Sequence, residues 1–364
     1  MEKKINITVF FILIFSFSIV LFIKKDSLLS SSERRYLTQA PSIELSDLKD
    51  GTFDDNLEDY LLDQFPARDS FRALKAFANY NLFFKLENQG IIINNGSMID
   101  FVDSYNYDSV DDTIIKINKL KNNMFSNNKC YFALIPDKSC LCNLSGMDYD
   151  YSKIEGIVKN TLDPTITYIP IGQNLTLDDY YKTDSHWSQE QLIDTRDILL
   201  STMGCKATSS QYTSNTINDY VGVYAGKSAL SYIKDEIIYL SNEYIDACEV
   251  YNYETIKTTP VYDLNKLHDK KSLDKYDIFL SGATPLLKIT TPNNNNKTLV
   301  IFRDSYGSSL APLMLEAYET VYLVDIRYMD SSYIDDYINI ENNYDVLFIY
   351  STSIINIPNN FKIK

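Results

Sequence analysis

Thr298-Leu299-Val300-Ile301-Phe302-Arg303-Asp304-Ser305-Tyr306-Gly307 is the stretch that decides how this 364-residue chain folds. The run Thr298–Phe302 is apolar and β-branched, so it reads as a buried strand. A polar break follows it, and then a helix-like stretch, Ser308 to Tyr318. A strand that turns straight into a helix is the repeating unit of a parallel α/β sheet, and ligands of such sheets bind at the carboxyl ends of the strands. Ser305 falls at that place. A serine there lies at the positive end of a helix dipole among free N–H groups, which suits a nucleophile and an oxyanion alike. The plainer alternative is that Asp304 or Ser305 only caps the helix by holding its amide protons.

Working outward, strands are expected at Gly90–Ile93, Cys130–Ile135, Ile166–Ile169, Thr320–Val324 and Val346–Tyr350, and helices at Asp111–Asn123, Ser188–Met203 and Ser309–Tyr318. The alternation predicts a mostly parallel sheet covered by helices. Upstream, Asn56–Phe65 and Ala67–Lys85 repeat apolar residues at three- and four-residue steps, so two helices parted by Pro66 are expected as a lead-in. The Asn293–Asn296 run reads as a surface loop. No internal repeat, phosphate loop or dinucleotide fingerprint occurs.

A nucleophile at Ser305 needs a base. The chain has two histidines and one tryptophan, and Thr183-Asp184-Ser185-His186-Trp187 holds the tryptophan and one of the histidines. In an extended Asp-x-His both side chains share a face, so Asp184 would fix the imidazole tautomer of His186. Spacing alone leaves a structural histidine open, because triads are recognised by geometry.

Residues Ile5 to Ile23 are nearly all apolar, close to the 20 or so that a helix needs to cross a bilayer. Lys24-Lys25-Asp26 follows directly, without a small-residue cleavage site, so the run reads as an uncleaved anchor. Lys3 and Lys4 favour a cytoplasmic N-terminus, Lys24 and Lys25 weaken that argument, and no second span brings the rest of the chain back. A net charge of −15, from 34 basic and 49 acidic residues, argues against nucleic acid and against anionic lipid as partners. Five cysteines suggest packing and no disulfide framework, and the sequence has no metal-ligand cluster. No cofactor is implied. The 29 tyrosines would suit sugar stacking, but an AT-rich codon bias gives the same excess.

Tyr180-Tyr181-Lys182-Thr183-Asp184-Ser185-His186-Trp187 resembles the signature of the bacterial DHHW proteins, and Phe302-Arg303-Asp304-Ser305-Tyr306-Gly307-Ser308-Ser309 resembles their serine block. Further pieces follow the same order: Ser32-Glu33-Arg34-Arg35-Tyr36-Leu37, Asp50-Gly51-Thr52-Phe53, Asp63-Gln64-Phe65-Pro66-Ala67-Arg68-Asp69, Tyr276-Asp277-Ile278-Phe279-Leu280-Ser281-Gly282 and Asp325-Ile326-Arg327-Tyr328. These proteins are similar to the SGNH-hydrolase-like polysaccharide O-acetyltransferases of the alginate O-acetylation type. The resemblance implies a three-layer SGNH-like sandwich with rearranged connectivity, since Asp-x-His here precedes the serine. It also implies Ser305, His186 and Asp184 as the catalytic set. Two departures stand out: the family's first histidine is Ser185 here, and its Gly-Gly-Asn after the strand equivalent to Tyr276–Leu280 is Ser281-Gly282-Ala283. With that asparagine absent, the Gly282 N–H becomes the oxyanion candidate beside Ser305 N–H. Trp187, Tyr306 and Arg327 are candidates for the site wall, with packing for Trp187 and a salt bridge for Arg327 as the alternatives.

The expected organisation is a cytoplasmic tip and anchor over residues 1–25, a polar tether over 26–47 and an SGNH-like catalytic domain with helical lead-in over 48–364. The expected activity is acyl transfer outside the cytoplasm, an O-acetyltransferase of an exopolysaccharide or cell-wall glycan. The resemblance implies a multi-span membrane-bound O-acyltransferase as the partner that supplies acyl groups. The rival readings are a carbohydrate esterase using the same triad and a non-enzymatic glycan-binding scaffold.

Overall fold

The computed structural model describes residues 2–43, 46–142, 144, 146–206, 211–269 and 272–363. Contacts divide the chain into two compact units: Met1–Ile91 with Val223–Ile233, and Ile92–Gly222 with Lys234–Lys364.

The smaller unit opens with helix α1 (Glu2–Ile23), which is long and apolar enough to cross a membrane. The segment expected as a polar tether is instead bonded in place. Leu29–Ser30 pairs antiparallel with Arg35–Tyr36. The Gln64 side chain accepts from Ser27 N–H (2.9 Å) and donates to the carbonyls of Ser27 and Thr38. Asp63 accepts from Arg35 Nη1 (2.8 Å) and Thr38 N–H (2.9 Å), while Arg68 and Arg72 converge on Glu33. The short motifs around Glu33 and Asp63 thus form one ion network, a role that neither shows in sequence. The lead-in helices run over Thr52–Asp63 and Arg68–Phe77, parted around Pro66, which cannot continue a helix.

The larger unit is built on eight strands: β1 (Lys129–Ile135), β2 (Ile166–Ile169), β3 (Glu249–Asn252), β4 (Lys257–Thr259), β5 (Leu286–Thr290), β6 (Thr298–Arg303), β7 (Thr320–Val324) and β8 (Asp345–Ser351). They lie side by side in the order β4-β3-β5-β7-β6-β8-β1-β2. From β7 to β2 every neighbouring pair is parallel, and β5, β3 and β4 extend the sheet by antiparallel pairing. The parallel strands are apolar throughout because both faces are covered. Leu299 and Ile301 of β6 face one cluster, with α4 (Ile193–Thr202) and α5 (Gly307–Met314). Val300 and Phe302 face the other, with α2 (Tyr107–Met124) and α3 (Tyr151–Thr161). This is the expected three-layer α/β architecture with a mostly parallel sheet.

Several local expectations shift. The strand expected at Gly90–Ile93 forms at Ile91–Asn94, in a small separate sheet with Ser97–Asp100. The stretch Tyr276–Leu280 is not a strand: Lys275–Ile278 makes a 3₁₀ turn, because the Asp274 carboxylate caps it by accepting the Tyr276 N–H (2.9 Å). The helix expected from Ser188 starts as a separate 3₁₀ turn, Gln189–Gln191. There the buried Gln189 side chain is committed to the Ser309 carbonyl (2.7 Å) and the Leu240 N–H (2.8 Å).

Candidate active site

At the carboxyl end of β6 the chain turns through Asp304, Ser305 and Tyr306 into α5. Asp304 is fully buried; its Oδ1 accepts the Tyr306 N–H (3.0 Å) and its Oδ2 the Ser351 N–H at the end of β8 (2.7 Å). The backbone-holding task of a helix cap therefore falls to Asp304. Ser305 is left to another partner, and its Oγ lies 2.8 Å from Nε2 of His186. On the other side of the ring, His186 Nδ1 lies 2.6 Å from Oδ1 of the fully buried Asp184. The three sequence-predicted residues come together in one hydrogen-bonded line, across 119 residues of chain between His186 and Ser305.

The imidazole is held by more than its hydrogen bonds. The Tyr276 ring stacks on it with centroids 4.0 Å apart and planes 13° from parallel, and the Tyr276 hydroxyl donates to Ser309 Oγ in α5 (2.8 Å). Burial of the ring works against its charged form, but the hydrogen bond and charge of Asp184, with Asp274 and Asp304 further off, outweigh that. The His186 pKa ends above the 6.5 of an ordinary imidazole. A base with that pKa suits proton transfer near neutral pH.

The loop that carries Asp184 and His186 is clamped on both kinds of backbone group. Lys138 is buried, and its ammonium donates to the carbonyls of Tyr181 (2.7 Å), Lys182 (3.2 Å) and Asp184 (3.1 Å). The Asp235 carboxylate accepts from the N–H groups of Lys182 (3.1 Å) and Thr183 (2.7 Å). Gly222 donates its N–H to Thr183 Oγ1 (2.9 Å) and approaches so closely that a Cβ there would sit 2.2 Å from the Thr183 carbonyl oxygen. Only glycine fits that gap. Sequence inspection missed Lys138, Asp235 and Gly222, since none belongs to a motif, and it quoted Tyr276 without giving its side chain a task.

Burial depresses the Lys138 pKa to about 8, partly offset by the charges of Asp184 and Asp235. Lys138→Met is expected to lower turnover of an acyl ester about 10- to 100-fold by loosening the loop. As pH rises through about 8 the wild-type ammonium loses one of its donors, so wild-type turnover should decline there. The variant should lack that alkaline limb. Equal activity and identical pH profiles would show that the clamp is packing alone.

Of the remaining candidates, Gly282 donates its N–H to the Phe279 carbonyl within its own turn (3.2 Å), at φ +82°. Trp187 is wholly buried; its indole N–H reaches the Tyr306 carbonyl (3.0 Å) and Ser309 Oγ (2.9 Å), bracing the start of α5. Tyr306 tilts against the His186 ring at 5.1 Å, and its hydroxyl lies 2.9 Å from Asp137 Oδ1 and 2.8 Å from the Ser185 carbonyl. Arg327 makes a two-pronged pair with the buried Asp325, Nε to Oδ1 at 2.9 Å and Nη2 to Oδ2 at 2.6 Å, as the salt-bridge alternative expects. No group of three or more residues able to hold a metal occurs among the described residues.

A cavity of about 470 Å³ opens along the same loop, lined by Asn94, Asn95, Ser97, Asp178, Tyr180 and Lys182 among others. Its Tyr180 wall lies edge-on to Tyr306, with centroids 6.5 Å apart. Leu141, Leu175 and Leu177 complete its lining, so polar and apolar side chains share the wall.

The sheet order, the helices on both faces and the placement of Ser305 at the end of β6 define a three-layer α/β fold with a mostly parallel sheet. Two solved structures agree with that architecture. The chain matches a DHHW family protein from Eubacterium siraeum with a TM-score of 0.62 at 20% identity, over 75% of this chain and 94% of that one. It matches Bacillus cereus PatB1, solved with a sulfonyl adduct, with a TM-score of 0.59 at 19% identity, over 75% of this chain and 100% of that one. The O-acetyltransferase domain of Pseudomonas putida AlgJ matches with a TM-score of 0.45 at 9% identity, over 74% of this chain and 93% of that one. No protein-family model and no curated protein matches the sequence. At these identities the likeness is one of fold.

Proposed function

We propose that the chain is a membrane-anchored acyl-transfer enzyme of the cell exterior, an O-acetyltransferase that modifies hydroxyls of an exopolysaccharide or cell-wall glycan. The observation that carries this reading is the line Asp184–His186–Ser305, with contacts of 2.6 and 2.8 Å. Ser305 Oγ attacks the acyl carbon of a donor ester as His186 Nε2 takes its proton. The Ser305 N–H, at the positive end of α5, is the donor offered to the oxygen that gains charge, since the amides of Tyr306, Gly307 and Ser308 are already held within the turn. The tetrahedral intermediate expels the donor alcohol, which receives the proton from His186, and acetyl-Ser305 remains. A sugar hydroxyl then gives its proton to His186 and attacks the acetyl carbon. Ser305 leaves with that proton, and the sugar carries the ester. Asp184 keeps Nδ1 protonated throughout.

The donor partner in this scheme is a multi-span membrane-bound O-acyltransferase, which hands acyl groups outward. PatB1's sulfonyl adduct suggests a direct test: treat the full chain with a sulfonyl fluoride, or with an activated acetyl ester, and map the added mass. Modification of Ser305 is the expected result, and an unmodified Ser305 in folded protein would overturn the reading. Transfer to added glycan in preference to water separates transferase from esterase.

As an uncleaved anchor, α1 is expected to keep the protein with membranes through a high-salt wash, because salt does not screen hydrophobic burial. N-terminal sequencing should then start at or near Met1. Recovery of a soluble form starting near Asp26 would make the apolar run a signal peptide.

A further inference from the structure

The lead-in of the smaller unit leaves its apolar side uncovered. Leu62 is 59% exposed, Leu74 62%, Phe83 68%, Phe84 80% and Leu86 83%. Scattered apolar residues are ordinary on a protein surface, but five large ones this exposed within residues 62–86 are the raw material of a contact surface. The same side meets α1: Phe17 stacks on Phe65 at 5.3 Å and lies edge-on to Phe71 at 5.6 Å. Phe17 lies about 9 Å along the helix axis from Ile23, at 1.5 Å per residue. With α1 across a bilayer and Lys24-Lys25 at its surface, Phe65 and Phe71 are drawn down to the boundary between headgroups and acyl chains, where aromatic rings collect.

We propose that the apolar face of residues 61–86 lies in that boundary as a second, non-spanning membrane contact, its occupant being the lipid itself. The proposal rests on the anchoring reading given above. Arg68 and Arg72 are paired internally with Glu33, while Lys75 and Lys85 are exposed, so the contact rests on apolar area, with the two lysines free to add to it at anionic headgroups. It should therefore form on uncharged phosphatidylcholine as well as on phosphatidylglycerol and withstand salt.

The chain's one tryptophan, Trp187, is fully buried, so its emission is a constant background, measured in the wild-type chain and subtracted from that of each probe variant. Full chain carrying Phe84→Trp or Leu74→Trp is reconstituted in phosphatidylcholine vesicles with and without lipids brominated near the carbonyl end of the acyl chains. Loss of probe emission in brominated lipid, with a blue-shifted maximum, is expected for both. Wild-type emission, from the fully buried Trp187, should be unaffected. A Phe11→Trp probe within α1 reads the anchor separately. Quenching at 11 without quenching at 84 or 74 overturns the second contact and leaves the anchor standing; quenching at none of the three overturns both. Quenching that is replaced by self-association as the protein-to-lipid ratio rises would assign the face to a second copy of the chain and overturn the proposal.

Discussion

Replacing Ser305 by alanine is expected to lower turnover of 4-nitrophenyl acetate by about 10⁴-fold or more while leaving the fold intact. The substitution removes one oxygen whose hydrogen-bonding partner is the exchangeable ring nitrogen of His186. The buried scaffold of the turn is untouched, because Asp304 holds the amides of Tyr306 and Ser351. Steady-state kinetics and thermal unfolding on the same preparation make the comparison. An unchanged unfolding midpoint with turnover within about tenfold of wild type would remove Ser305 from the mechanism.

Asp184→Asn should cost on the order of 10³- to 10⁴-fold in kcat, because the amide can no longer hold Nδ1 protonated and the imidazole presents the wrong tautomer to Ser305. The pH dependence gives an independent signature. The base must be neutral, so wild-type turnover should fall as pH drops through a His186 pKa that lies above 6.5. In the variant, burial of the ring still disfavours the imidazolium, but the carboxylate that outweighed it is gone. The pKa therefore falls and the acid limb moves to lower pH, even as the maximum collapses. Proton NMR of the imidazole follows the same shift without turnover. A limb that stays at its wild-type position would mean that Asp184 does not set the charge state of His186.

The parts of the molecule legible in sequence are those in which a few adjacent residues carry the whole signal. The β6 run and the turn at Ser305 are of this kind, and so is Asp184-x-His186; strands β1, β2, β7 and β8 were placed to within a residue by their apolar runs. Of the antiparallel extension, β3 (Glu-Val-Tyr-Asn) and β4 (Lys-Thr-Thr) were not legible, because they are short and half polar, like loops. Lys138 and Asp235 were invisible for a different reason. A single lysine or aspartate has no local meaning, and their task arises only once carbonyls and N–H groups of a loop more than 40 residues away are brought to them. The ion network of Glu33, Asp63, Arg68 and Arg72 is similar: its motifs were noticed, but what pairs them is tertiary.

The strand order has a bearing on how the protein is made. β8, the last of the eight strands in sequence order, lies between β6 and β1, so it joins the part of the sheet that carries Ser305 to the part formed first. As the chain is synthesised, β1 and β2 have no path to β6 until the residues around 345–351 arrive, and the amide of Ser351 that Asp304 holds arrives with them. Non-local closure of this kind is slow and leaves strand edges open in the meantime. A nonsense codon near residue 340 would remove β8 and leave the sheet in two separate pieces, so the codons for residues 345–351 are as exposed to damaging mutation as that of the nucleophile itself.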